Sequence, residues 1–589
     1  MNVDVRIDLL RKKMEKNDIS VYIIPTADYH GSEYIHDYFD CRKYMSGFTG
    51  SAGTMIVTMD EAVLYTDGRY FIQAERELAG SSIKLMKMGE KNTISIKEYI
   101  NRNIGEKKLG FDGKVMQARE VIEYEKSYMV CSDLDLVGEI WNGRNKLIGK
   151  DIFILEESYA GETAGNKLNR IRNKMIEYKA DVHILTSLDD IAWLYNIRGN
   201  DIQYNPVVFA YTIITSEKTI IYLMKEAISK TISEYFTGIN VEIKTYEEFY
   251  EDIKALSGNI LIEKGKINYN IWKKINSNNI IDKENPTTLM KAIKNDTEIR
   301  NLRKAHVMDG VAVTKFIYWL KNEINKGSHI TEMLAAEKLE EYRSVYKTYV
   351  CPSFATISAY ESNAAMMHYS ADENSNAVLE KKGFLLVDSG GQYYEGTTDI
   401  TRTVVLGDIS DEAKKHYTLV TKSMLSLANA TFLYGCKGIN LDILAREPLW
   451  NVLMDYKCGT GHGVGYMLNV HEAPNGFRWR SIAERNDGCV LEPGMITTDE
   501  PGVYIEGQYG IRIENELLCV EKCTNEYGTF LGFEQLTMAP IDLEAIDTKY
   551  LENSDINNLN IYHQMVYNTI APFLEEDVKK WLKEYTRAL

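Results

Sequence analysis

Chain length and element pattern predict a multi-domain α/β protein. Two observations carry this. The 589 residues are too many for one hydrophobic core. Short apolar runs rich in Val, Ile and Tyr alternate with amphipathic helical stretches. Composition is ordinary for globular chains, with 44% hydrophobic and 26% charged residues. Acidic residues outnumber basic ones by 85 to 68, which argues against nucleic acid or an anionic membrane as a partner. No apolar run approaches the ~18 residues of a membrane span. The opening MNVDVRIDLLRKKMEKND has no signal-type apolar core. Eight cysteines without a CxxC pair fit reduced thiols, so a cytoplasmic location is expected.

Residues 1–150 read as a first α/β domain. A helix from about Val5 to Lys16 leads into the strand Val21–Ile24. Thr54–Val57 and Ala62–Tyr65 read as paired strands. The glycine-rich SGFTGSAG (46–53) lacks the Lys-Ser/Thr ending of a phosphate loop, so its glycines are assigned to tight turns. Residues 151–290 form a second α/β domain. Its segment 186–211 reads as turn, short helix and strand, with Trp193 and Tyr195 in the core and Asp189-Asp190 at a helix start. A polar linker is placed at 282–288, around Pro286.

Residues 291–589 form the third domain, with an extension from about 543. Asn295 and Glu298 make a capping-box pattern. Ile299, Leu302, Val313, Phe316, Ile317, Leu320 and Ile324 follow at helical spacing, and His306 on the same stripe reads as a packed histidine. Further helices are predicted over 331–343, 411–433 and 441–455. In the extension, Ile570, Phe573, Leu574, Val578, Trp581 and Leu582 form a stripe that suits a partner surface. An isologous homodimer is the expectation.

Five candidate metal ligands lie in this domain: Asp388 in LVDSG, Asp399 in GTTDITRT, His462 in GTGHGVG, Glu500 in TTDEPG and Glu514 in IRIENE. Carboxylates are hard donors that suit ions such as manganese, and one imidazole shifts the site towards the transition series. Five donors exceed the need of one tetrahedral zinc. Four clustered carboxylates would repel unless about two dications neutralised them. Asp388 closes the apolar run Phe384–Val387, which reads as a buried strand, and a carboxylate leaving such a strand needs a partner. Asp399 precedes what reads as the next strand of a hairpin.

These segments, in this order, resemble the pita-bread metallopeptidases, most closely the aminopeptidase P (Xaa-Pro aminopeptidase) family. NAAMMHY (363–369), NVHEAP (469–474) and FEQLTMAPID (533–542) belong to the resemblance. SGFTGSAGT (46–54), YTDGRYFIQA (65–74) and WLKEYTRAL (581–589) extend it over nearly the whole chain. It implies two creatinase-like α/β domains before a pita-bread catalytic domain. It implies hydrolysis of the N-terminal Xaa-Pro bond of peptides by a hydroxide held between two divalent ions per subunit. Manganese is the expected metal, with zinc or cobalt as alternatives. Asp399 and Glu514 would bridge the ions, with Asp388 on one side and His462 and Glu500 on the other.

Glu500 would also shuttle the proton to the leaving nitrogen. His368 follows the apolar run Ala364–Met367, which reads as a strand that would hold it partly buried. His368 and His471 match family histidines that meet the substrate around the scissile carbonyl, where an imidazole can steady the oxyanion. Arg69 would reach substrate from a neighbouring part of the assembly. Arg512, two residues before Glu514, suits the orientation of the carboxylates and counts among the substrate-facing groups. The departure from the pattern is Cys458, where many relatives have a histidine four residues before the metal histidine. A prolidase restricted to dipeptides and a non-enzymatic peptide- or histone-binding scaffold are the competing readings. The middle domain and the C-terminal extension favour aminopeptidase P over the first, and the complete ligand set disfavours the second.

Overall fold

The computed structural model describes residues 2–275, 279–373, 375–482 and 486–589. The chain divides into two compact units: residues 1–156 with 162–287, and residues 157–161 with 288–589.

The first unit holds two six-stranded mixed sheets. In one, Ile19–Pro25, Thr54–Thr58 and Ala62–Thr66 run antiparallel, and Ile83–Lys87, Lys108–Gly110 and Val130–Cys131 extend it in parallel at the two sides. The predicted hairpin is present, with Thr54 opposite Tyr65. The other sheet repeats the pattern. Val182–Leu185, Ala210–Thr215 and Thr219–Leu223 form the antiparallel centre. Glu242–Thr245, Ile260–Ile262 and Ile280–Asp282 make the parallel flanks.

The glycine-rich loop is structural. Buried Arg42 donates to the carbonyls of Phe48 and Gly50 and, at 2.9 Å, to Thr26 Oγ1. A phosphate loop would instead turn its amides outward. A Cβ at Gly50 would strike the rings of Phe48 and Tyr70. Trp193 and Tyr195 are buried as expected. In place of an open polar linker, a strand ends at Asp282 and a helix begins at Pro286, with Thr287 fully buried.

The second unit opens with the 31-residue helix Asp296–Lys326. Both halves of the capping box form: Asn295 accepts from the Glu298 amide at 3.0 Å, and Glu298 accepts from the Asn295 amide at 2.9 Å. Val313, Phe316, Ile317, Leu320 and Ile324 bury against Leu385, Val387, Ile400 and Val404. Those four residues lie on Phe384–Ser389 and Ile400–Val405, an antiparallel pair with Asp388 opposite Thr401. Ile357–Tyr360 completes a three-stranded sheet on the other side. A six-stranded antiparallel sheet follows in the order Thr431–Leu433, Gly528–Gln535, Asn515–Asn525, Ile496–Asp499, Gly461–Gly463, Glu472–Phe477.

Several element boundaries differ from expectation. The helix from Asp411 stops at Ala428, and Thr431–Leu433 is a strand. The next helix is Gly438–Trp450. His368 does not follow a strand. Glu361–Ala365 is a 3-10 turn, and His368 is partly buried beyond it. The apolar stripe of the extension packs on its own unit. Ile570, Leu574, Val578 and Leu582 join the core, and Trp581 meets Tyr318 edge-on at 5.5 Å. Of that stripe, Phe573 alone stays exposed.

Candidate metal centre

Two sheets of the second unit bring donors to one place. Asp388 lies on Phe384–Ser389, and Asp399 immediately precedes Ile400–Val405. His462 sits on Gly461–Gly463, Glu500 follows Ile496–Asp499, and Glu514 precedes Asn515–Asn525. Backbone bonds tie these ends together. The Glu514 amide donates to the Thr401 carbonyl at 3.1 Å, and the Glu500 amide donates to the Thr460 carbonyl at 2.8 Å.

Donor atoms of Asp399, His462 and Glu514 all lie within 4.8 Å of one another. His462 Nε2 is 3.4 Å from Asp399 Oδ2 and 3.4 Å from Glu500 Oε1. Asp388 joins through Arg512, whose Nη2 donates to Asp388 Oδ2 at 2.6 Å. Arg512 also donates to Tyr504 OH at 2.7 Å and to Thr401 Oγ1 at 3.1 Å. Thr401 in turn donates to Glu514 Oε2 at 2.7 Å.

Three observations fit this cluster to divalent cations. His462 Nδ1 lies 2.9 Å from the Gly463 carbonyl, which can only accept, so Nδ1 carries the hydrogen. Nε2 is the nitrogen left facing two carboxylates, and a metal ion fits between these three donors. Asp388 Oδ1 is buried without a hydrogen-bond partner, although Oδ2 is held. Asp399 and Glu514 are pushed well above the usual carboxylate range, first by burial and then by the neighbouring carboxylates. The donor set is that of hard divalent ions.

The supporting residues are mostly ones the sequence did not mark. Glu516 accepts from the Asp399 amide at 2.7 Å, and its other oxygen lies 3.2 Å from His306 Nε2. The packed histidine of the long helix therefore has a carboxylate partner. Nothing in the sequence set Glu516 apart beyond its place two residues after Glu514. Arg446 pins the approach to His462 by donating to Asp442 at 2.7 Å, to the Tyr456 carbonyl at 2.9 Å and to the Cys458 carbonyl at 2.8 Å. Buried Arg402 donates to the Glu514 carbonyl at 2.6 Å and to Asn515 Oδ1 at 2.8 Å. Its Nη2 also donates to Tyr562 OH, from the extension, at 2.7 Å.

His471 stacks edge-on against His462 with centroids 4.2 Å apart. The next residue, Glu472, is buried between Lys294 at 2.5 Å and Lys291 at 3.1 Å. His368 lies one residue after Met367, whose carbonyl accepts from Arg512 Nη2 at 3.5 Å. Burial pushes the Cys458 thiol up to about 12, so it stays protonated. Arg69 lies in the first unit and is gripped by Asp67 through two bonds of 2.8 and 2.7 Å.

Four carboxylates and one imidazole, brought together on or next to antiparallel strands, define the class first: a fold with a candidate hard-metal centre. The family models agree. Creatinase/prolidase N-terminal domains match residues 6–145 and 143–298, metallopeptidase family M24 matches 300–521, and the C-terminal region of that peptidase matches 529–589. A probable Xaa-Pro aminopeptidase P of Coprinopsis cinerea is 35% identical over 98% of this chain and 97% of its own. One of Talaromyces marneffei is 38% identical over 99% and 92%. An X-prolyl aminopeptidase of Caenorhabditis elegans, a cytosolic enzyme with a di-nuclear active site, superposes with TM-score 0.95 at 33% identity over 100% of both chains. A prolidase of Pyrococcus horikoshii reaches TM-score 0.51 at 25% identity, over 64% of this chain and 99% of its own. The chain belongs to the Xaa-Pro aminopeptidase P family of M24 metallopeptidases, with a pita-bread catalytic domain behind two creatinase-type domains.

Proposed function

We propose that this chain is an aminopeptidase that hydrolyses the first peptide bond of substrates with proline in second position. The observation that carries the reading is the gathering of Asp388, Asp399, His462, Glu500 and Glu514 into one cluster, on a chain matched end to end by the Caenorhabditis elegans enzyme. Those five residues would hold two divalent ions. When bound, such ions make water more acidic and polarise a carbonyl oxygen. The oxygen-rich donor set favours manganese.

The remaining roles fall to the protein. Arg512 fixes the orientation of Asp388 and, through Thr401, of Glu514. Its guanidinium is only 3% exposed and committed to these partners, so we assign it to positioning ligands in preference to gripping peptide. Glu500 is well placed to carry the proton bound for the leaving nitrogen. His368 and His471 donate to the oxygen that gains charge. The free amine of the substrate is drawn to the carboxylates. A proline nitrogen has no hydrogen, which is why ordinary aminopeptidases handle this bond poorly. Arg69 is proposed as a substrate contact, its pairing with Asp67 holding the guanidinium ready.

Three domains, with boundaries near 150 and 290, are in keeping with the extents of the family models. Cytoplasmic residence is proposed, as for the Caenorhabditis elegans enzyme described as cytosolic. Among the described residues no helix is long and apolar enough to cross a membrane. A homodimer is proposed, with its interface on the helix Gly438–Trp450, away from the extension.

The test is hydrolysis of Xaa-Pro peptides of two to nine residues, Arg-Pro-Pro among them, before and after chelation. Cleavage of the tripeptide is expected, with loss on chelation and recovery with manganese at least as good as with zinc. Cleavage of dipeptides alone would make the protein a prolidase. Full turnover after exhaustive metal removal would falsify the metal-dependent reading. Asp399→Asn and Glu514→Gln should each lower turnover about a thousandfold or more.

A further inference from the structure

Away from the metal cluster, helix Glu332–Ser344 begins at a carboxylate with no solvent exposure. A buried charge must be satisfied by partners. Among the described residues no lysine or arginine pairs with Glu332. Four donors converge on it instead. Oε1 accepts from the Tyr360 amide at 2.6 Å and from Asn363 Nδ2 at 3.0 Å. Oε2 accepts from Tyr369 OH at 2.7 Å and from the Ala377 amide at 2.8 Å. Charge-assisted bonds of this kind are the strong ones.

The placement of these donors in the chain is informative. They stand at 360, 363, 369 and 377, before and after the partly buried His368. Tyr369 is its immediate neighbour, and its hydroxyl also lies 2.7 Å from the Ser375 carbonyl. The opposite side of the segment meets the hairpin Gly502–Ile505/Tyr509–Arg512. The backbone at Gly510 approaches so closely that a Cβ there would come within 1.8 Å of the Ala364 carbonyl oxygen. Met367 is tied to Arg512 at 3.5 Å. His368 is thus flanked by a residue bonded to Glu332 and a residue bonded to the arginine that holds Asp388.

We propose that Glu332 is the positioning residue for His368. Its carboxylate ties together Tyr360, Asn363, Tyr369 and Ala377 and so sets where the His368 imidazole stands. The inference rests on the reading that His368 donates to the substrate carbonyl oxygen. A donor displaced by about 1 Å can cost on the order of a hundredfold in rate. A neutral glutamine at 332 keeps one acceptor but turns a second towards donors with an N–H of its own.

Glu332→Gln should lower kcat on Arg-Pro-Pro by about 10- to 100-fold, with KM changed by less than about threefold and metal content per subunit unchanged. The decisive readout is a double-mutant cycle with His368→Ala. If Glu332 acts through His368, the double variant loses no more than His368→Ala alone. Tyr369→Phe removes the link nearest the imidazole, and the same cycle on it decides the matter should Glu332→Gln fold poorly or lose metal. Losses that multiply, or full kcat in both Glu332→Gln and Tyr369→Phe, would overturn the positioning role while leaving His368 as a substrate contact. Full kcat in His368→Ala would overturn the reading of His368 and this proposal with it.

Discussion

Cys458 is where this chain departs from the pattern it otherwise resembles. Its thiol is held protonated by burial, and its carbonyl is engaged by Arg446. A neutral thiol is a weak donor and cannot replace a charged imidazole. It packs as a small apolar side chain against the core. Cys458→Ala should therefore change kcat/KM by less than tenfold, about 1.4 kcal/mol. His368→Ala, measured on the same tripeptide, should cost about a hundredfold or more. Equal losses would mean that the thiol has a catalytic task. Asp388 was legible as a carboxylate closing an apolar strand, whereas Asp399 was read from its spacing and His462, Glu500 and Glu514 from the family resemblance. Thr401, Arg446 and Glu516 were not legible. A threonine that passes a hydrogen bond from Arg512 to Glu514 looks in sequence like any strand threonine. Only the pairing of Asp388 with Thr401 across two strands reveals it.

At the scale of elements, local rules succeeded where the cause was local. Asn295 and Glu298 cap the long helix because their partners lie three residues apart. The run Ala364–Met367 reads as a strand and is not one. The residues on either side of it are held instead: Asn363 Nδ2 and Tyr369 OH both donate to Glu332, thirty-odd residues upstream, which no periodicity encodes. The extension failed as a partner-seeking helix for a related reason: a stripe facing its own core looks the same as one facing another chain. That extension carries a pH-sensitive group. His563 is buried, and its Nε2 accepts from the Ile541 amide at 3.1 Å. Burial, and then the charge of Arg402, push it down to about 3. In the unfolded chain a histidine titrates near 6.5. Between about 6.5 and 3 the unfolded state therefore binds the extra proton, and stability falls as pH falls. The loss approaches about 1.4 kcal/mol per pH unit below 6.5. His563→Gln, whose amide oxygen can accept the same N–H, should flatten that limb. Urea unfolding at pH 7 and pH 5 checks it; an identical acid loss in wild type and variant would remove His563 as the cause.

Across the whole molecule, the exposed apolar residues are not evenly spread. Ile439, Ile443 and Trp450 share one face of the helix Gly438–Trp450, Leu453 just beyond it is 97% exposed, and Trp450 meets Trp479 edge-on. We propose this apolar face as the homodimer interface. With a second copy as occupant, Ile443→Lys should shift light scattering at micromolar concentration from dimer to monomer. A wild-type monomer under those conditions would end the claim. The paired sheets of the first unit show how far sequence reading reaches at this scale. Their strands follow the same order and directions, yet no short-period repeat is visible in the residues, since topology survives substitutions that erase identity. One consequence concerns synthesis. Arg402 grips the strand end at Glu514, and its partner Tyr562 lies 160 residues further along the chain. A growing polypeptide that has emerged only through Glu514 already holds all five candidate ligands, yet the Arg402–Tyr562 half of this clamp can form only after translation has passed Tyr562.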